Sequence, residues 1–337
     1  MKRMIAVFLS FALMAMLCFT ASADGQGEKT YGAYKHVFIV GIDGAGTFFK
    51  NDYMTNFHRI IDNGTVKYEV RTETKTDSGP NWTSILTGVS YFKHGAENGV
   101  VGGSQKRLFK RYPSIFSMVH NAMPDAELAS INNWDAINIG IVEDGIGATK
   151  ISVGPDSATV DAIVDYFNEG HAPAVFFTQL DEVDAAGHGF GSASVEYENA
   201  MKEADERIGV IYDCLRENGL LDDGLFIVTA DHGHKATGGH GRFSKIESYS
   251  TIAVAGKTVV SGGTMDKDVK LRDIAAISLY ALGVKPNGWS FSARVPSNLF
   301  TDVKGQIRPY HGDLIDLLCG GFMWIYTNLG HPLDKFF

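Results

Sequence analysis

The sequence predicts an α/β protein, a doubly wound and mostly parallel sheet with helices on both faces. Three observations carry that expectation. Apolar, β-rich runs recur at 36–44, 174–180, 225–230 and 250–255, separated by stretches with apolar residues at helical spacing. The runs are continuously apolar rather than alternating, as in strands buried on both faces of a parallel sheet. No internal repeat or low-complexity linker breaks the alternation, so residues 24–337 read as a single domain, with its motifs in 35–284.

Before that domain, Met1-Lys2-Arg3, an apolar run from Met4 to Phe19 and Ala21-Ser22-Ala23 form the pattern of a secretory signal peptide, residues 1–23. Cleavage before Asp24 is expected, which makes the mature protein secreted or periplasmic. The run is short for a membrane anchor, and no later stretch approaches about 18 uninterrupted apolar residues, so no stable membrane span is expected. Cys18 lies in the leader, which leaves Cys214 and Cys319, whose separation no sequence reading supplies. The formal charge of −9 argues against a phosphate-tracking nucleic-acid surface.

The first run, His36 to Gly44, places Asp43 at the carboxyl end of a strand, where open α/β sheets bind ligands. Asp-Gly is also an ordinary turn pair. Thr55 to Asp62 reads as a helix stopped by Asn63-Gly64, and Tyr68 to Thr74 as a strand leading into the stretch 74–88. That stretch opens as a hydroxyl-rich loop, places Pro80 in the first helical turn and closes at Gly88. Ser78, just ahead of Pro80, therefore stands at a helix N-terminus, where a phosphate or sulfate ester is favoured, although Ser is equally a common N-cap.

Next, His94 to Gly99 makes a glycine-punctuated loop containing Asn98, whose amide can donate to an anion. Pro113 to Ala122 and Ser157 to Asn168 read as helices, with Glu127 to Asn132 extended between them. The run 174–180 is followed by Asp181-Glu182-Val183-Asp184-Ala185-Ala186-Gly187-His188, in which one helical turn or a tight loop brings Asp184 and His188 together. Three acids and a histidine after a buried strand suit a metal site. A long helix, Ser194 to Glu217, precedes the run 225–230, which ends in Asp231-His232; His240 follows in a glycine-rich loop. Asp273 to Gly283 is a helix with a glycine stop. The tail, 305–337, is apolar over Leu314 to Tyr326 and is expected to dock on the body.

In a parallel sheet these strand ends share one edge. Asp43, Ser78, Asp231 and His232 can then hold one metal, and Asp184, His188 and His240 a second. Two divalent ions about 4 Å apart suit in-line displacement at phosphorus, and an ion at Ser78 answers the weakness of serine as a nucleophile at neutral pH. The mixture of histidines and aspartates suggests zinc, with manganese the alternative.

The constellation resembles the alkaline phosphatase superfamily, in particular its branch of type I phosphodiesterases and nucleotide pyrophosphatases. The matching residues are Asp43, the Ser78-Gly79-Pro80-Asn81 box, Thr87-Gly88, His94-Gly95 with Asn98, Asp184 to His188, Asp231-His232 and His240, in the family's order. The resemblance implies an alkaline-phosphatase-like fold and a covalent phosphoserine on Ser78. It further implies Asp43, Ser78, Asp184, His188, Asp231, His232 and His240 as metal ligands, with Asn98 and the backbone N–H of Gly79 holding the substrate's non-bridging oxygens.

Departures from the family pattern narrow the class. Sulfatases place an arginine two residues after the proline of this box, where the chain has Trp82. Nucleotide pyrophosphatases usually follow the nucleophile with an aromatic residue, where the chain has Gly79. Lys75 and Lys93 are the basic residues within reach of a second phosphate charge, and His311 is the alternative to His240 as the final histidine. The expectation is a two-metal hydrolase of small-molecule phosphate esters, with Thr76 the next nucleophile in line. A phosphoryl or phosphoethanolamine transferase using the same site and a degenerate metal-binding protein are the competing readings. Aromatics at Phe48-Phe49, Tyr91-Phe92 and Phe190 are the candidates for setting specificity.

Overall fold

Residues 30–73, 75–103, 112–265, 267–286 and 291–301 are described by a computed structural model. The expected leader and tail, with Cys319 and His311, lie outside the described residues. The strands are β1 His36–Ile42, β2 Gly64–Arg71, β3 Leu128–Asn132, β4 Thr149–Ser152, β5 Val175–Leu180, β6 Gly224–Thr229 and β7 Tyr249–Ala255. They form one sheet in the order β2-β7-β6-β1-β5-β3-β4. β1 runs parallel to β5 and β6, and β3 runs parallel to β4 and β5. β7 is antiparallel to both its neighbours, β6 and β2.

The one reversed strand has a simple origin. After β6 the chain leaves the carboxyl edge, makes the loop 230–248 and returns directly without a crossover helix, which forces an antiparallel pairing. β2, on the far side of β7, therefore points the same way as the parallel strands. Beyond its carboxyl end the chain brings Ser78 to the edge already reached by β1, β5 and β6.

The helices are α1 Thr55–Ile61, α2 Ser78–Thr87, α3 Tyr91–His94, α4 Asn98–Val101, α5 Ile115–Ala122, α6 Asp156–Asn168, α7 Glu182–Phe190, α8 Val195–Glu217 and α9 Asp273–Ala281. Alternate residues of β1 enter different cores, as the twofold strand period requires. Ile39 joins Trp82, Phe116 and Ile277 on the face covered by α2, α5 and α9. Phe38 joins Phe57, Phe167 and Ile208 on the face covered by α1, α6 and α8. This is the doubly wound arrangement that the sequence predicts, with one antiparallel strand added.

Polar residues tie the layers together. α1 lacks a side-chain cap of its own. Asp205 of α8 supplies one, its carboxylate accepting the N–H groups of Asn56 and Phe57 at 2.8 Å each, where the helix dipole favours a negative charge. Several elements depart from expectation. β2 begins at Gly64 rather than Tyr68, because pairing with β7 extends that far. The expected loop 94–99 instead joins two one-turn helices, α3 and α4. β4 is a four-residue edge strand too short for a periodic signal. α7 continues for nine residues where one turn or a tight loop was the expectation.

Candidate active site

Asp43 follows β1, and Asp231 and His232 follow β6. Ser78 opens α2, which β2 delivers to the same edge. Ser78 Oγ lies 3.3 Å from both Asp43 Oδ1 and His232 Nε2. His232 Nε2 is 3.5 Å from Asp43 Oδ1 and 3.2 Å from Asp231 Oδ2. These separations match the edge of a tetrahedron whose centre lies about 2.0–2.1 Å from its corners, about 3.3 Å. All four side chains are buried. Asp231 Oδ2 is buried without a hydrogen-bond partner, which is costly for a carboxylate unless a cation sits there.

Surrounding groups orient these donors. Asp43 Oδ2 accepts Trp82 Nε1–H at 2.8 Å and an amide N–H of Gln179 at 3.0 Å, which leaves Oδ1 toward Ser78. Trp82 packs edge-on against Phe177, with ring centres 5.5 Å apart. Gly41 makes room for it, since a Cβ there would lie 2.4 Å from the indole. His232 Nδ1 lies 3.3 Å from its neighbour's carbonyl at Gly233, leaving Nε2 for the centre. The loop before α2 is held by Asn81, whose Oδ1 accepts Glu73 N–H at 2.8 Å while Nδ2 donates to the carbonyls of Lys75 and Asp77, also at 2.8 Å.

A second group adjoins the first. Asp184 and His188, one turn apart on α7, place Oδ2 and Nε2 3.3 Å apart. His240 Nε2 lies 2.9 Å from His188 Nε2 and 3.5 Å from Asp184 Oδ1. His240 Nδ1 donates to the Thr76 carbonyl at 2.5 Å, fixing the tautomer that presents Nε2. His188 is the exposed member of this group, its side chain 54% accessible. Every position expected from the sequence thus falls within one region, and His234 joins it as well. The His234 Nε2 contacts Asp184 Oδ1 at 2.7 Å. The sequence signal for it was a histidine two residues beyond His232, which the Asp-His pairing overshadowed.

The charges of the region are unbalanced as it stands. Burial, with Asp231 and Asp184 nearby, pushes the Asp43 carboxyl well above its usual range. Burial likewise raises Asp231 to about 7, against the opposing hydrogen bond from Gly44. Asp184 behaves differently: burial would raise it, but the His234 hydrogen bond and the surrounding imidazoles hold it at about 2. Burial and the nearby His240 push His232 well below its usual value. Buried acids facing imidazole nitrogens make a donor set that divalent ions fit. Two sets of such atoms lie close enough to share an ion, Asp43 with Asp231 and His232, and Asp184 with His232, His234 and His240.

Beside Ser78 opens a cleft of about 410 Å³ lined by Asn98, Trp134, Asp135, Asp181, His188 and His240 among others. The Gly79 N–H, expected to reach a substrate oxygen, instead donates to Asn98 Oδ1 at 2.7 Å. The physical reason is close packing of α2 on α4, where a Cβ on Gly79 would lie 2.7 Å from Asn98 N. Asn98 itself lines the cleft. Lys75 pairs with Glu97 at 2.8 Å, and neither it nor Lys93 lines the cleft. His94 is structural: Nε2 lies 2.9 Å from Ser84 Oγ and Nδ1 accepts Ala96 N–H, while burial lowers its pKa to about 3.

Comparison with known proteins finds relatives in sequence and in fold. Residues 118–284 match the family model of type I phosphodiesterase / nucleotide pyrophosphatase. Bis(5'-adenosyl)-triphosphatase ENPP4 of Bos taurus is 24% identical over 242 residues, covering 66% of this chain and 52% of that protein. GPI ethanolamine phosphate transferase 1 of Saccharomyces cerevisiae is 29% identical over 148 residues, 38% of this chain and 16% of that protein. The chain thus spans about half the length, or less, of these curated relatives. In fold, it is similar to murine ectonucleotide pyrophosphatase / phosphodiesterase 5, with a TM-score of 0.63 at 14% identity over 75% of this chain and 96% of the other. With its sheet, its edge of acids and histidines and these relatives, the chain is similar to the type I phosphodiesterase / nucleotide pyrophosphatase branch of the alkaline phosphatase superfamily.

Proposed function

We propose that this protein is a secreted or periplasmic two-metal phosphoric-ester hydrolase, a single catalytic domain acting on small-molecule phosphate esters through Ser78. The observation that supports this most is the set of 3.2–3.5 Å separations gathering Ser78 Oγ, Asp43 Oδ1, Asp231 Oδ2 and His232 Nε2 about one point. Asp43, Ser78, Asp231 and His232 would hold one divalent ion, and Asp184, His188 and His240 the other. The donor mixture favours zinc, with manganese the alternative. When bound, the ions neutralise the buried acids and bring a nearby hydroxyl's pKa down toward neutrality.

The chain's own groups account for the rest. Ser78 Oγ attacks phosphorus, the Oγ–P bond forms as the ester bond breaks, and the serine proton ends on the departing alcohol. Asn98 Nδ2 faces the non-bridging oxygens, where added negative charge is stabilised. Water then cleaves the phosphoserine and restores the hydroxyl. Acid quenching during turnover, followed by peptide mass spectrometry, should find the adduct on Ser78; an adduct on another residue, or none under burst conditions, would reject this route.

Two further expectations follow from the surroundings. Trp82→Phe keeps the ring against Phe177 but removes the N–H that holds Asp43. Zinc affinity should fall about 10-fold, read by calorimetric titration, and an unchanged affinity would remove Trp82 from the account. The cleft contributes Asp135 and Asp181 and, among the described residues, no Lys or Arg. A singly charged phosphodiester is therefore expected to be preferred over a dianionic monoester, by about 10-fold or more in kcat/KM for matched aryl esters. Equal or reversed preference would contradict that expectation.

The similarity to an ethanolamine phosphate transferase favours one second reading, transfer of the same phosphoryl group to an alcohol. Adding an acceptor alcohol and comparing new ester with released alcohol separates the two: a hydrolase partitions to water even with acceptor in excess.

A further inference from the structure

His234 has no part in the mechanism above, yet the fold builds a slot for its ring. The side chain is fully buried. A Cβ on Gly187 would lie 2.4 Å from the imidazole, and one on Gly44 2.8 Å. The ring makes one hydrogen bond among the described residues, Nε2 to Asp184 Oδ1, and Nδ1 is buried without a partner. A histidine kept for packing alone would be a poor choice, since an unpaired buried polar atom costs about 1–3 kcal/mol.

The length of the contact separates two roles. The ligand atoms of Asp184, His188 and His240 stand 2.9–3.5 Å apart, around the edge of a tetrahedral zinc site, about 3.3 Å, whereas Nε2 and Oδ1 are closer, at 2.7 Å. That distance is a charge-assisted hydrogen bond, with the imidazole donating. It fixes the rotation of the Asp184 carboxylate and turns Oδ2 toward His188 Nε2, 3.3 Å away. Because His188 is more than half exposed, the held orientation of Asp184 matters more to this group than it would among three buried ligands.

We infer that His234 is a positioning residue: by locking Asp184, it sets the affinity of the ion held by Asp184, His188 and His240. This rests on the two-metal reading above. The two amide side chains test it, since Gln places its nitrogen near the Nε2 position and Asn stops near Nδ1. Metal-free wild type, H234Q and H234N are titrated calorimetrically with zinc, and with cobalt(II) while the visible absorption is recorded.

Wild type should show two binding events. H234N should weaken one of them by about 10–100-fold, while H234Q stays within about fivefold of wild type. The cobalt bands of the weakened site should keep their positions, because the ligand set is unchanged. Circular dichroism checks folding; if H234N is unfolded, H234M fills the slot without a donor and should show the same weakening. Wild-type affinity in the donor-less variant overturns the inference. H234Q as weak as H234N also overturns it, and with displaced cobalt bands makes the imidazole a direct ligand. Fewer than two binding events in wild type overturns the two-metal reading itself, a result distinguishable from failure at His234 alone.

Discussion

Ser78→Ala is expected to lower kcat/KM on an aryl phosphodiester by about 10³-fold or more, the scale of removing a nucleophile. Metal content should stay near the wild-type level. Among the described residues the Ser78 hydroxyl makes two hydrogen bonds, both at 3.3 Å, so its loss is expected to leave Asp43, Asp231 and His232 in place. The alternative nucleophile, Thr76, is engaged elsewhere. Its hydroxyl donates to the Arg242 carbonyl at 2.9 Å, lies 3.1 Å from Glu247 and accepts the N–H of Gly241 at 2.7 Å, all in a buried setting. Near-normal turnover by the alanine variant would reject Ser78 as nucleophile.

Removing the metals should have an effect of similar size on activity and a large one on stability. Without cations, Asp43, Asp184 and Asp231 face one another in a buried region, and two of the three are pushed toward protonation. Each ion present at about 100 times its Kd adds about 2.7 kcal/mol to the folded state. Two sites therefore contribute about 5 kcal/mol, or about 10 °C in Tm for a domain of this size. Exhaustive chelation followed by scanning calorimetry reads the shift. Zinc should restore both Tm and activity, whereas a metal-free protein with unchanged Tm and turnover would refute metal dependence.

Much of the fold and the region around Ser78 was legible because the relevant signals are local. A run such as Ala174 to Leu180 followed by acids states both a buried strand and what it presents at its end. The box around Pro80 likewise marks a helix start from its own residues. What escaped depends on contacts between distant segments. β4 forms by pairing with β3, and β2 takes its true start from β7. The use of the Gly79 N–H depends on how closely α2 and α4 approach, which neither segment encodes alone. His234 escaped for the same reason: its meaning lies in a 2.7 Å contact with a residue fifty positions earlier. Asn81 closes the box that the sequence shares with the family, and its three hydrogen bonds give it a physical task, holding the loop that carries Ser78.

The central claim is that Ser78 sits within a pair of metal centres assembled from three strand ends. Anomalous diffraction from crystals grown with zinc, recorded on both sides of the zinc absorption edge, tests this most directly. The account predicts two peaks, one among Asp43, Ser78, Asp231 and His232, the other among Asp184, His188 and His240. A single peak, or two peaks neither of which touches Ser78 Oγ, would contradict it.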